Sequence, residues 1–188
     1  MKTETELKII DASTQIKLAM ANRHDEGIFR SCLNSFISTA RSITFVMESE
    51  SSDPELKSWY KCQTAVLGAT PLFKFFNQQR VYTVHKGVIS PTKFAHPVTD
   101  ASFQQVADED GNLRWTGTVR IPLGKNLEPI SAKPEDRDYI SYWLFDDVSE
   151  FLPAHSGNVD SLCKQYFQAL KVLVKGWLGK RRELGLPC

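Results

Sequence analysis

The sequence predicts a mainly α protein: an antiparallel helical bundle with a small β-hairpin insertion before its last long helix. Three observations carry this. Stretches at both ends of the chain repeat apolar residues at three- and four-residue spacing. Short links join them, which favours antiparallel neighbours. Between them, over 88–145, the pattern changes to prolines, alternating residues and a DEDGN turn. A chain of 188 residues suits one domain, 1–188, with 88–145 as an insertion within it.

The first predicted helix covers 3–22, from an acidic first turn and apolar positions at Leu7, Ile10 and Ile16. After the His24–Gly27 break a second helix covers 26–50. Phe29, Leu33, Phe36, Ala40, Ile43 and Met47 recur there at alternating four and three, a long core stripe. Ser51–Pro54 stops it, and Pro54 opens a third helix over 54–67. Thr70-Pro71 reads as an N-cap followed by a helix-opening proline, so a fourth helix covers 71–86 and ends at Gly87. The stretch SFQQVADEDGNLRWTGTVRIPL predicts a two-stranded hairpin turning at Asp110-Gly111. Residues 126–134 read as a loop, and 139–145 as a third strand or a buried extended segment. A closing helix covers 158–184, with a stripe running from Leu162 to Leu178.

Composition narrows the function class without naming it. An apolar fraction of 41%, with eleven Phe, fits a packed core rather than a disordered chain. A formal net charge of +1 names no partner, so a nucleic-acid site would have to be a local patch. The four cysteines follow no metal-ligand spacing, and three fall in helices beside apolar residues, which predicts buried, reduced thiols. No stretch approaches the ~18 apolar residues of a membrane span, and the opening MKTETELKII lacks the apolar region of a secretory leader. Together these predict a cytoplasmic protein with neither metal nor cofactor.

The fourth helix, FKFFNQQRVYTVHKG, holds the residues that carry chemistry. On a wheel with Phe73 at zero, Phe76, Arg80 and Val84 fall within one stripe, with Arg80 at its centre. A guanidinium on an apolar stripe needs an anion. One candidate is a carboxylate on the second or last helix. The other is a phosphate, which suits the planar fork of arginine. His85 lies about 140° around the helix from Arg80. The two converge only if the helix end loosens before Gly87, or if a two-fold interface brings two copies to one cleft. His85 is otherwise an ordinary solvated residue near a helix end.

Arg80 to His85 forms an R-x4-H pattern on a late helix of a helical frame. With LNSFISTARSITFVMESE and NVDSLCKQYFQALKVLV, it resembles the HEPN superfamily, within a group of uncharacterised bacterial HEPN-like proteins. The resemblance covers about 3–87 and 158–184 and leaves the β insertion outside. It implies an antiparallel HEPN-like bundle acting as a homodimer. It also implies a metal-independent endoribonuclease of toxin or phage-defence type, leaving 2′,3′-cyclic phosphate and 5′-hydroxyl ends. Arg80 would hold the scissile phosphate and His85 would move a proton. Such proteins are sometimes paired with a nucleotidyltransferase-type antitoxin. The alternative is a non-catalytic HEPN-like module that binds nucleotide, RNA or a protein. Val81 favours this, since many of the ribonucleases carry a polar residue directly after the arginine.

Other residues are weighed against ordinary roles. Tyr82 could stack on a base and Lys86 could meet a phosphate, or they are a core tyrosine and a solvated lysine. Arg41 is either a second basic group of the cleft or an exposed arginine pairing locally. Lys175, Lys180, Arg181 and Arg182 read first as cations on a solvated face at a helix C-terminus.

Overall fold

The structure is a computed structural model, and it describes residues 2–97, 101–107, 113–123, 126–132 and 139–187. Five helices carry the core: α1 (Glu4–Ala21), α2 (Glu26–Ser49), α3 (Pro54–Ala69), α4 (Pro71–His85) and α5 (Val159–Glu183). All five begin on a side-chain cap. Thr3 forms a reciprocal capping box with Glu6, and Asp25, Asp53, Thr70 and Asn158 each accept from a backbone N–H of the first turn. Among the described residues no helix is long and apolar enough to cross a membrane.

Named contacts set the directions. The side chain of Glu50, after α2, accepts from Thr5 Oγ1 at 2.6 Å, so α1 runs antiparallel to α2. Tyr60 on α3 donates to the Thr44 carbonyl at 2.8 Å, and Arg41 Nε donates to Asn77 on α4 at 3.3 Å. Thr83 Oγ1 lies 3.4 Å from Asn34 Oδ1. The pairs 60–44, 77–41 and 83–34 show α3 and α4 running in turn against α2, broken only at Thr70-Pro71. Helix α5 runs parallel to α2, placing Phe167 beside Phe36 (6.1 Å between centroids) and Trp177 Nε1 3.0 Å from Ser51 Oγ. The expected mainly α, antiparallel architecture is therefore present, with one parallel pair inside it.

The β region is larger than one hairpin. Strands β2 (Ala101–Ala107) and β3 (Leu113–Leu123) pair antiparallel with Ala107 opposite Leu113, as the hairpin expectation required. The Asp110-Gly111 turn itself lies outside the described residues. One expectation needs correction. Residues 126–132, read as loop, form β4 (Asn126–Ala132), an edge strand on β3. Its Pro129 hid the strand pattern, but an edge tolerates a residue that cannot donate. Residues 139–144, expected as a third strand or a buried extended segment, form the strand β5 (Tyr139–Leu144), which pairs with β1 (Thr92–Pro97) in a separate two-stranded sheet. That sheet is stitched to the bundle by Trp143, stacked on Phe29 at 4.4 Å with its Nε1 donating to the Arg23 carbonyl. Gly157 then turns the chain into α5 at φ 81; a Cβ there would lie 3.0 Å from the Phe145 carbonyl oxygen.

Asn34 fastens the exit of α4 to α2. Its Nδ2 donates to the Ile89 carbonyl and its Oδ1 accepts from the Ile89 N–H, both at 2.9 Å, in a buried setting. The side chain thus pairs with Ile89 as a neighbouring strand would. Removing it leaves two buried backbone groups unsatisfied. Asn34→Ala is expected to cost about 2–4 kcal/mol in urea unfolding and to raise amide hydrogen exchange at Ile89. A loss below about 0.5 kcal/mol would show that this clamp contributes little.

Candidate functional site

Helix α4 does not face the way its wheel suggested. Its buried residues are Phe75, Phe76 and Gln79. Phe76 stacks on Tyr166 of α5 at 4.2 Å and 10°, and Phe75 meets Phe145 edge-on at 5.1 Å. The core face is thus turned by about a quarter turn from the Phe73–Arg80–Val84 line. Arg80 is half-buried on the flank of that face, not at its centre, and Val84 is 54% exposed. The misplacement has a simple cause: three aromatics at 73, 75 and 76 spread over about 160° of the wheel, so periodicity alone does not say which pair is inside.

Arg80 therefore sits beside α2, bracketed by the Asn77–Arg41 contact one turn before it and the Thr83–Asn34 contact one turn after. Among the described residues no carboxylate pairs with it and no hydrogen bond holds it. The expectation of a carboxylate on the second or last helix is not met there.

His85 is the last residue of α4 and is exposed. The N–H groups of Lys86 and Gly87 both reach the Tyr82 carbonyl, at 2.8 and 3.1 Å, so the turn holding His85 is closed. The helix does not loosen before Gly87, and within one chain Arg80 and His85 diverge. Between them on the helix surface lie Val84 and Val81, the latter 40% exposed, with Val88 exposed just beyond. Tyr82 is also exposed, which removes the core-tyrosine alternative, and Lys86 is exposed. The end of α4 is thus an apolar ridge with Arg80 on one side and His85 on the other.

Arg41 is neither a free surface cation nor a member of a local ion pair. Its Nε donates to Asn77, its Nη1 to the Thr44 hydroxyl, and its guanidinium lies over the Phe45 ring at 4.3 Å. It joins α2 to α4 one turn from Arg80. The C-terminal cations also differ from expectation. Arg181 is buried, stacked on Trp177 at 4.6 Å, and donates to the Glu50 and Pro187 carbonyls. Lys180 pairs with Glu55 at 2.6 Å. Sequence periodicity missed both because the partners lie on α3 and in the chain after α5.

The thiols divide likewise. Cys163 is buried, and burial pushes its pKa well up, followed by the nearby Asp160 charge, so it stays a protonated thiol. Cys62, expected inside, is exposed on α3. Among the described residues no group of three or more His, Cys, Asp or Glu side chains is placed to hold a metal ion.

Comparison with protein-family models, with curated proteins and with solved structures finds no match to this chain.

Proposed function

We propose that this chain is a metal-independent endoribonuclease that pairs two copies along the end of α4. The observation that carries this is the ridge itself. Arg80 is a half-buried cation with no partner among the described residues, His85 is an exposed imidazole, and exposed valines separate them. Two needs are met at once by a two-fold, parallel pairing of α4 helices. The valines leave water, and the Arg80 flank of one protomer faces His85 of the partner subunit. Five residues of helix rise span about 7.5 Å, within the combined reach of these side chains and one phosphate.

The chemistry then follows from the two groups. The ribose 2′-oxygen attacks phosphorus, the bond to the 5′-oxygen breaks, and a 2′,3′-cyclic phosphate and a 5′-hydroxyl result. The Arg80 guanidinium binds the non-bridging oxygens and offsets the charge that gathers on them. His85 takes the 2′-hydroxyl proton or delivers one to the departing 5′-oxygen. Tyr82 and Lys86, exposed beside the ridge, are placed to meet a base and a flanking phosphate.

The direct test is cleavage of mixed RNAs in excess chelator by the wild type, Arg80→Ala and His85→Ala, each first shown folded and of unchanged oligomeric state. Cutting that resists chelator and falls by a factor of about a hundred or more in both variants is the expected result. A wild-type protein that cuts no RNA would overturn the ribonuclease and leave a non-catalytic module that binds nucleotide, RNA or protein, the function that Val81 fits. Regulation by a nucleotidyltransferase-type antitoxin belongs to the same proposal and is read by co-purification with such a partner.

A further inference from the structure

The geometry points to a second site: we propose that the cavity enclosed by α2, α3, α4 and α5 binds a ribonucleoside monophosphate, its phosphate held by Arg41 and the Tyr166 hydroxyl. The cavity has a volume of about 330 Å³. That falls at the lower end of the roughly 300–1,000 Å³ typical of small-molecule sites.

Two polar groups in its wall are left incomplete by the protein. Tyr166 is 2% exposed, and its hydroxyl has no hydrogen-bond partner among the described residues. Burial pushes its phenol well above the usual range, with the Arg41 charge pulling the other way, so at neutral pH it remains a donor. Arg41 and Tyr166 both line this cavity. Arg41 has no ion pair among the described residues. Its Nε and Nη1 are engaged by Asn77 and Thr44, which fixes the fork and leaves Nη2 uncommitted. The Tyr166 hydroxyl and Arg41 Nη2 are not among the sealed, unpartnered polar atoms, so both open to the cavity, where water meets them in the empty protein. An anion accepting from both satisfies the two together.

The remaining wall selects what the anion is attached to. Lys74 adds a second cation, suiting a dianionic phosphate better than a carboxylate. Phe45, Phe73 and Leu67 present aromatic and apolar surface, which fits a flat base and not a sugar polyol. Glu48 and Thr64 supply acceptors for ribose hydroxyls. The site is separate from the Arg80–His85 ridge and does not depend on whether the chain cuts RNA.

The test is calorimetric titration of the full chain with the four ribonucleoside 5′-monophosphates, the matching nucleosides and inorganic phosphate. At least one monophosphate is expected to bind about tenfold or more tightly than its nucleoside and than phosphate. Tyr166→Phe keeps the ring stack and removes only the hydroxyl. It should weaken that nucleotide by about tenfold while leaving thermal stability equal or higher. Arg41→Gln should weaken it at least as much. His85→Ala should bind it as the wild type does, and a loss there would merge the two sites and overturn this one. Binding no better than inorganic phosphate, or a Tyr166→Phe protein of wild-type affinity, would also overturn it.

Discussion

Trp177→Ala is expected to lower the unfolding free energy by about 3–5 kcal/mol, the largest stability loss of any single truncation proposed for this chain. Trp177 is fully buried and does three things at once. It fills the space where the end of α5 meets the α2–α3 junction. Its Nε1 donates to Ser51 Oγ, which in turn donates to the Met47 carbonyl at 2.6 Å. Its ring carries the Arg181 guanidinium, itself tied to the Glu50 carbonyl. Truncation opens a large void, removes the donor to Ser51 and takes the aromatic face away from a buried cation. Trp177→Phe separates these effects, keeping much of the volume and losing the N–H, and should cost about 1–2 kcal/mol. Against the 5–15 kcal/mol of an ordinary domain, the alanine variant is marginal. Urea unfolding followed by circular dichroism reads the shift in midpoint at unchanged slope. A loss below about 1 kcal/mol would show that the end of α5 is not part of the cooperative core.

How much of this was legible depended on how local the signal was. The helices were legible almost to the residue because their caps are local: Thr70 followed by Pro71 announces α4, and Pro54 announces α3. The hairpin was legible because its two strands are close neighbours in the sequence. The β1–β5 pairing was not, since Thr92 meets Leu144 across a long separation and neither segment names the other. The rotation of α4 was hidden by Phe73, Phe75 and Phe76, any two of which make a plausible inner face. Only the aromatic partners on α5 and at Phe145 decide between them. The candidate site suffered the same ambiguity: the R-x4-H pattern locates Arg80 and His85, but not the valine ridge between them. Arg41 looked like a surface cation because its partners, Asn77 and the Phe45 ring, lie on another helix and four residues along its own. Tyr166 looked like one more core residue. A hydroxyl without a partner is invisible to hydrophobic patterning.

Mixing two inactive proteins should restore cutting, and this is the most demanding test of the ridge. If each cleft takes Arg80 from one protomer and His85 from the other, Arg80→Ala and His85→Ala homodimers have no complete site. A heterodimer has one cleft that lacks both groups and one that holds both. Random re-pairing gives half heterodimers with one working cleft in two, so about a quarter of wild-type activity should return. If instead both groups come from the same chain, the heterodimer has one cleft without arginine and one without histidine, and nothing returns. Co-refolding or co-expression supplies the mixture, with each variant alone as the blank. Val84→Asp supplies the control on assembly. Val84 is more than half exposed in the single chain, so the fold should persist while two carboxylates meet at the pairing face. That variant should sediment as a monomer and cut RNA no faster than the blanks. Recovery near a quarter with a monomeric, inactive Val84→Asp would place the chemistry between protomers. A fully active Val84→Asp monomer would move it within one chain, where the closed last turn of α4 holds Arg80 and His85 apart.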